Sequence, residues 1–375
     1  MPIFLLVIIY LVFVSLGLPD GVLGGAWPSI QSSFNAPLPT GGYIALVITF
    51  MTIVSSLATA YLVKRLGTGK LITISTALTA LSLLGFSQAV SIEWLFLLAV
   101  PLGLGAGAID SALNNYVANH YDAHHMNWLH ACWGIGATAG PILFATSLAS
   151  SGDWHSGYLT LWAKVKPRKA TEAQSENDFS DIKFSLLIKQ RPVLLSFISF
   201  LLYQGIEVGI GLWIASYLVS VQSMALETAA LWTGVYYGAI TLGRIGTGLI
   251  SMKVSSKQMI RFGLLISICG AILLSIDIHS IASFVGIGLI GLGFAPIYPS
   301  MIHATPERFG ANKSAKIMSL QMVGGYTGAS LIPPIIGITS GVFSMAVFAF
   351  IVPATLLLLV VSTELMNRLL TRDLA

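Results

Sequence analysis

Three carboxylates, Asp20, Asp110 and Glu207, lie inside runs that otherwise read as lipid-spanning helix. An ionised acid in a bilayer is costly, so such residues usually face a cavity and act on an ion or a ligand. Asp20 stands in Gly17-Leu-Pro-Asp-Gly-Val-Leu-Gly-Gly-Ala-Trp27, and Glu207 in Gln204-Gly-Ile-Glu-Val-Gly-Ile-Gly-Leu-Trp213. Each acid is followed by glycines and then, about two helical turns on, by a Trp. The two acids are 187 residues apart in a chain of 375. The pattern reads as a duplicated membrane protein with an acid at the same place in each copy.

Asp20 has no Lys or Arg expected at its depth. An enclosed acid without a counter-ion keeps its proton until its cavity opens to water, which makes it a proton carrier. The competing reading is a structural acid pinned by backbone amides. Pro19 and Gly21 on either side loosen the local helix. Asp110 and Asn114 are four residues apart and share a helix face; they form either an acid–amide pair on a cavity wall or a satisfied interhelical hydrogen bond. Glu207 has Tyr203 and Gln204 within one turn, and such groups suit a polyhydroxylated ligand, whose hydroxyls each want a donor and an acceptor. Trp27 and Trp213 either stack on a sugar ring or anchor the membrane interface.

Asn127 and His130 share a face at the start of the fifth predicted helix, where His130 either joins a proton path or bonds across the bundle. Tyr298 aligns with Asp110, and a carboxylate replaced by Tyr implies that the two halves do different work. The proton-coupling candidates are therefore Asp20, Asp110 and Glu207. The substrate-binding candidates are Asn114, Asn115, Asn127, His130, Tyr203, Gln204, Trp27, Trp213, Tyr298 and Gln321. Arg244 reads as a gate or an interhelical contact.

The sequence holds no nucleophile motif and no P-loop, so neither an enzyme nor ATP-driven transport is expected, and no cofactor. Gly103-x-Gly105 follows no strand and is not a dinucleotide loop. His120, His124 and His125 lack a second cluster, so no metal site is expected. Cys132 and Cys269 have neither disulfide nor metal spacing.

The elements that position these residues must be membrane helices. The chain is 55% hydrophobic and 9% charged, against about 25% charged in soluble domains. The apolar runs predict helices at about 3–30, 41–63, 71–90, 94–119, 127–149, 192–220, 228–251, 259–276, 281–303, 315–338 and 341–366, each near the roughly 20 residues a span needs. The first run is too long for a cleaved signal peptide and lacks a basic leader.

Of the 19 Lys and Arg, 18 fall in alternate loops, at the first residues of the helices that follow them, or in the C-terminal tail, leaving only Arg244 deep within a helix. The net charge of +4 thus marks cytoplasmic loops and both termini rather than a nucleic-acid partner. The polar stretch 164–191 reads as a solvated linker between an N-terminal bundle, 1–163, and a C-terminal bundle, 192–375. One crossing before that linker is short. Only Asp153 to Ala163 is available for it, about 15 Å of helix against a core of about 30 Å. Either part of the sixth helix is missing, or eleven helices break the charge rule.

The second half restates the first. Gly103 and Gly105 match Gly291 and Gly293, and Gly136 and Gly140 match Gly324 and Gly328, all at an offset of 188. Two copies in one orientation require an even helix count in each, which six plus six satisfies.

The chain resembles major facilitator superfamily transporters of the fucose:proton symporter group. The resemblance rests on Asp20 midway along the first helix and on Asp110-Ser-Ala-Leu-Asn114 with Tyr116 in the fourth. It rests also on Asn127-Trp-Leu-His130 leading to Gly134-Ile-Gly136 and Gly140-Pro141 in the fifth. Asn115 stands where that group has Pro, and Asp110 where it has Glu. The resemblance implies an all-α membrane protein of the major facilitator fold, with two pseudo-symmetric six-helix bundles; the sixth helix is read as truncated from its length alone. The resemblance also implies protonation and sugar recognition at Asp20 and Asp110.

The expected function is proton-coupled uptake of a small neutral polar solute, a monosaccharide, by alternating access. The expected partners are a sugar-like substrate, protons or sodium, and the lipid bilayer, with the chain working as a monomer in a bacterial-type plasma membrane. Alternatives are a proton-driven exporter of amphipathic compounds and a non-transporting solute sensor.

Overall fold

The computed structural model describes residues 3–120, 123–165, 188–250, 253–276 and 280–372, and among them there is no β-strand. The helices are α1 Ile3–Gly17, α2 Val22–Phe34, α3 Thr40–Leu66, α4 Thr68–Phe86, α5 Ile92–His120, α6 Ala123–Ser151 and α7 Trp154–Lys164. After the linker come α8 Arg191–Gln222, α9 Leu226–Ile250, α10 Ser256–Ser275, α11 Ser280–Phe294, α12 Ile297–His303, α13 Thr305–Phe309, α14 Ala311–Val342 and α15 Phe348–Arg372. Among the described residues, nine spans are long and apolar enough to cross a membrane. With 25 and 32 residues, α9 and α14 have the length as well. Most of the linker expected at 164–191 lies outside the described residues.

Three predicted helices are corrected. The first, 3–30, is two helices, α1 and α2, running on to Phe34. Pro19 has no N–H to continue the ladder, and residues 17–21 close instead through short turns, Asp20 N to Gly17 O at 3.1 Å and Val22 N to Pro19 O at 3.1 Å. Asp20 sits in that interruption. The ninth, 281–303, also breaks, into α11 and α12, with Pro296 as the cap between them. The tenth is longer than 315–338, covering residues 311–342. It starts after Gly310, whose φ of 83° is a conformation natural to glycine.

The stretch available for the sixth crossing holds α7, 11 residues capped by the Asp153 side chain and ended by an extended Val165, and it is not among those nine spans. Its hydroxyls Ser156 and Thr160 bond Ser147 of α6, and Trp154 Nε1 donates to Ser33 of α2 at 3.0 Å.

The chain divides into two compact units, Met1–Asn177 with Leu212–Gly238, and Asp178–Gly211 with Ala239–Ala375. In the first unit, Phe13, Leu16, Ile109, Leu113, Val117 and Leu129 form a core shared by α1, α5 and α6. Helix backbones there touch directly. A Cβ on Gly136 or Gly140 would lie 2.0 Å from the carbonyl oxygen of Val14 or Leu18. In the second unit Gly324 and Gly328 meet the Phe197 and Leu201 carbonyls in the same way, at 2.6 and 1.9 Å. Gly105 on the Ser75 carbonyl is likewise matched by Gly293 on the Gly263 carbonyl. The duplication is thus written into equivalent glycine contacts within each unit.

Candidate functional site

The interruption at 18–21 presents Asp20 sideways from its helix. Trp133 of α6 donates its indole N–H to Asp20 Oδ2 at 2.6 Å. Helix α6 comes close enough to reach because Gly17 lies against the Trp133 carbonyl, where a Cβ would be 2.1 Å from the oxygen. Asp20 is solvent-accessible although protein surrounds it. From the next residue onward, 21–30 are all buried.

Asp110 joins it from α5, close enough for the two carboxyls to interact electrostatically. Glycines set that helix in place: Gly103 and Gly107 press on the Ile48 and Thr52 carbonyls of α3, and Gly105 on the Ser75 carbonyl of α4. Asn114 Nδ2 donates to Asp110 Oδ1 at 2.9 Å, so the pair read from their spacing is made. The Asn114 carbonyl oxygen is buried and, among the described residues, has no hydrogen-bond partner. His130 stands edge-on to Phe13, with ring centroids 6.1 Å apart. The side chains of Asn115 and Asn127 lie outside the described residues.

The second unit is built differently. Glu207 is 3% exposed, and Arg244 of α9 faces it, Nη2 to Oε1 at 3.5 Å. The expectation that Glu207 repeats the logic of an unpaired Asp20 is corrected, because a cation stands beside it. Arg244 is therefore part of a polar cluster with Glu207, Tyr203 and Tyr298. Tyr203, wholly buried, donates its hydroxyl to the Phe294 carbonyl at 3.2 Å. Tyr298 directs its hydroxyl to Met322 Sδ at 3.2 Å. Gln204, half-buried, makes no hydrogen bond among the described residues, which leaves its amide available to a ligand.

The helix contacts also correct the alignment of the two acids. Val14 and Leu18 correspond to Phe197 and Leu201, an offset of 183, whereas the glycines opposite them are offset by 188. Helix α1 is therefore slipped by five residues relative to its copy. By this register Asp20 corresponds to Tyr203 rather than Glu207, Trp133 to Gln321, and Asp110 to Tyr298. The acid–indole–acid group of the first unit has become a Tyr–Gln–Tyr group in the second.

Gln321 lies in the packing, 1% exposed. Its amide nitrogen donates to Ser196 at 2.7 Å and Thr305 at 3.0 Å, and its oxygen accepts from Thr305. Trp27 and Trp213 are both fully buried. Neither presents a ring face to a ligand or to the membrane interface, and the Trp27 ring fills the space over Gly41. Trp133 as the partner of Asp20, and Glu207 as the partner of Arg244, went unrecognised in the sequence.

Known proteins agree with this architecture. The glucose/mannose transporter GlcP of Bacillus subtilis (strain 168) is 22% identical over 316 residues, 77% of each chain. The structure of a nucleoside transporter NupG mutant superposes with a TM-score of 0.77 at 13% identity, covering 96% of this chain and 98% of that one. The D-xylose–proton symporter gives 0.72 at 13% identity, covering 96% and 97%. At such identity the two structures share the fold alone. The Major Facilitator Superfamily model matches residues 9–333, and the chain belongs to that superfamily: it is a multi-pass membrane transporter, not an enzyme.

Proposed function

We propose that the chain takes up a small neutral polar solute, a monosaccharide, in symport with protons by alternating access. The observation that carries the reading is Asp20: an accessible acid at a break in a membrane helix, held by Trp133 and facing a second acid, Asp110. Two acids within electrostatic reach resist ionising together, which suits a site that takes up a proton on one side and releases it on the other. In the first unit Asn114, with an unpaired amide oxygen, and in the second Gln204, half-buried, are each suited to a sugar hydroxyl. The named substrates of the similar GlcP and xylose–proton symporter are in keeping with this. The basic loops favour both termini in the cytoplasm, with bundles 1–163 and 192–375 moving about the linker.

The test is uptake of labelled glucose, mannose and xylose into proteoliposomes under an imposed proton gradient, with Asp20→Asn as control. Gradient-driven accumulation lost in the variant supports the reading. A folded protein that accumulates none of them, or that accumulates one equally well as Asp20→Asn, overturns it.

A further inference from the structure

Immediately beyond Asp20 the first unit is sealed. Gly21 lies under the Tyr237 ring, where a Cβ would be 2.7 Å from Cε2, and beside Pro141, 2.9 Å from Cγ. One turn on, Gly25 lies against Ala230, and from α9 Gly234 and Gly238 meet Ile142 and Thr138. Ala230, Gly234 and Gly238 follow one another at four-residue spacing, so they share a face of α9, as Gly21 and Gly25 share a face at the start of α2. The boundary between open and closed falls between two adjacent residues: Asp20 is accessible and Gly21 is buried. Tyr237 itself is 7% exposed.

We propose that Tyr237 is the positioning residue that couples the Asp20 carboxyl to this seal. Its ring rests on the backbone next to the acid, so α2 and α9 cannot part without changing the surroundings of Asp20, and a change at Asp20 bears directly on the ring. The proposal rests on Asp20 being the coupling acid. The groups around Asp20 are consistent with a local device. Helix α5 brings Asp110, and α6 brings Trp133, with Cys132 beside it and His130 one turn earlier against Phe13. Helix α9 brings Tyr237. Helix α3 carries its bases at its far end, at Lys64 and Arg65, and α7 holds His155 on Asp153 and the Ala89 carbonyl, with Lys164 at its end.

The seal can be read by a cross-link. A Cβ on Gly25 would be 3.5 Å from the Ala230 Cβ, within the roughly 3.5–4.5 Å of a disulfide. In the full chain with Cys132→Ser and Cys269→Ser, Gly25→Cys and Ala230→Cys should oxidise to a disulfide that blocks uptake until reduced. Its rate of formation is then followed across pH. The same pair with Asp20→Asn reports the thiols' own pH dependence, and any further dependence in the parent belongs to Asp20. Tyr237→Ala should abolish that further dependence with Asp20 intact, and Tyr237→Phe, which keeps the ring, should retain it.

A parent rate that matches Asp20→Asn at every pH, or a Tyr237→Ala rate that matches the parent, overturns the proposal. Either result could stand beside gradient-driven sugar uptake, and Asp20-dependent cross-linking could stand without such uptake. Failure here is thus distinguishable from failure of the symport reading.

Discussion

Trp133 reaches across 113 residues of sequence to hold Asp20, indole nitrogen to carboxylate oxygen at 2.6 Å. A hydrogen bond to a charged acceptor is worth about 1.5–3 kcal/mol, roughly tenfold or more in a rate that depends on it. Trp133→Phe keeps the ring and removes the donor. We expect gradient-driven uptake to fall by about that factor at unchanged expression. Unaltered uptake would remove Trp133 from the coupling group.

Glu207 and Arg244 make opposite demands on mutagenesis. Removing one partner of a buried pair strands the other, at about 3–5 kcal/mol, while replacing both with apolar groups costs far less. Glu207→Leu should therefore lower the melting temperature in detergent, and Arg244→Met added to it should restore much of the loss. A proton-carrying Glu207 predicts instead a stable Glu207→Gln protein that has lost only its gradient dependence.

Gln321 should act on stability and not on recognition. Gln321→Leu strips the Ser196 and Thr305 hydroxyls of their buried partner, at about 1–3 kcal/mol. The expected outcome is a lower melting temperature with an unchanged substrate KM; a raised KM at full stability would return Gln321 to the binding site.

Glycines divide into two classes by what surrounds them. A methyl at Gly328 would lie 1.9 Å from the Leu201 carbonyl oxygen, whereas one at Gly288 meets nothing within 4 Å. Gly328→Ala should destabilise by about 1–3 kcal/mol through overpacking, and Gly288→Ala should stabilise by up to about 1 kcal/mol through helix propensity. Melting of the two purified variants side by side checks both signs.

The N-cap of α7 gives a pH dependence outside the membrane spans. Burial pushes the Asp153 carboxyl up, but the His155 ring and N–H bonds, with the His155 charge, bring it below the ordinary carboxylate value. A depressed carboxyl contributes stability above its unfolded pKa, about 3.9, and loses it as pH falls through the folded value. Asp153→Asn should lower the melting temperature at neutral pH, and the difference from the parent should shrink as pH falls below about 4.

Much of this was legible because it is local. Lipid-spanning runs, the helix loosened at Pro19 and the Asp110–Asn114 pair all depend on residues within a few positions of each other. The partners that define the site do not. Trp133 and Arg244 reach their acids from other helices, and nothing in their own segments says where they point. The five-residue slip of α1 was hidden for a different reason. Asp20 and Glu207 are both acids followed by glycines and a Trp, so similarity of composition outweighed the true register, which only the carbonyls of Val14, Leu18, Phe197 and Leu201 under their glycines reveal.

The short helix α7 has a consequence for the membrane itself. Its 11 residues make a wall about 16 Å tall, roughly half of a hydrocarbon core. Set against lipid, a flank of that height would be a hydrophobic mismatch, and the bilayer would thin beside it at a fraction of a kcal/mol for each ångström. The expected consequence is a working cycle sensitive to acyl-chain length, with a bilayer of shorter chains deforming less than one of longer chains.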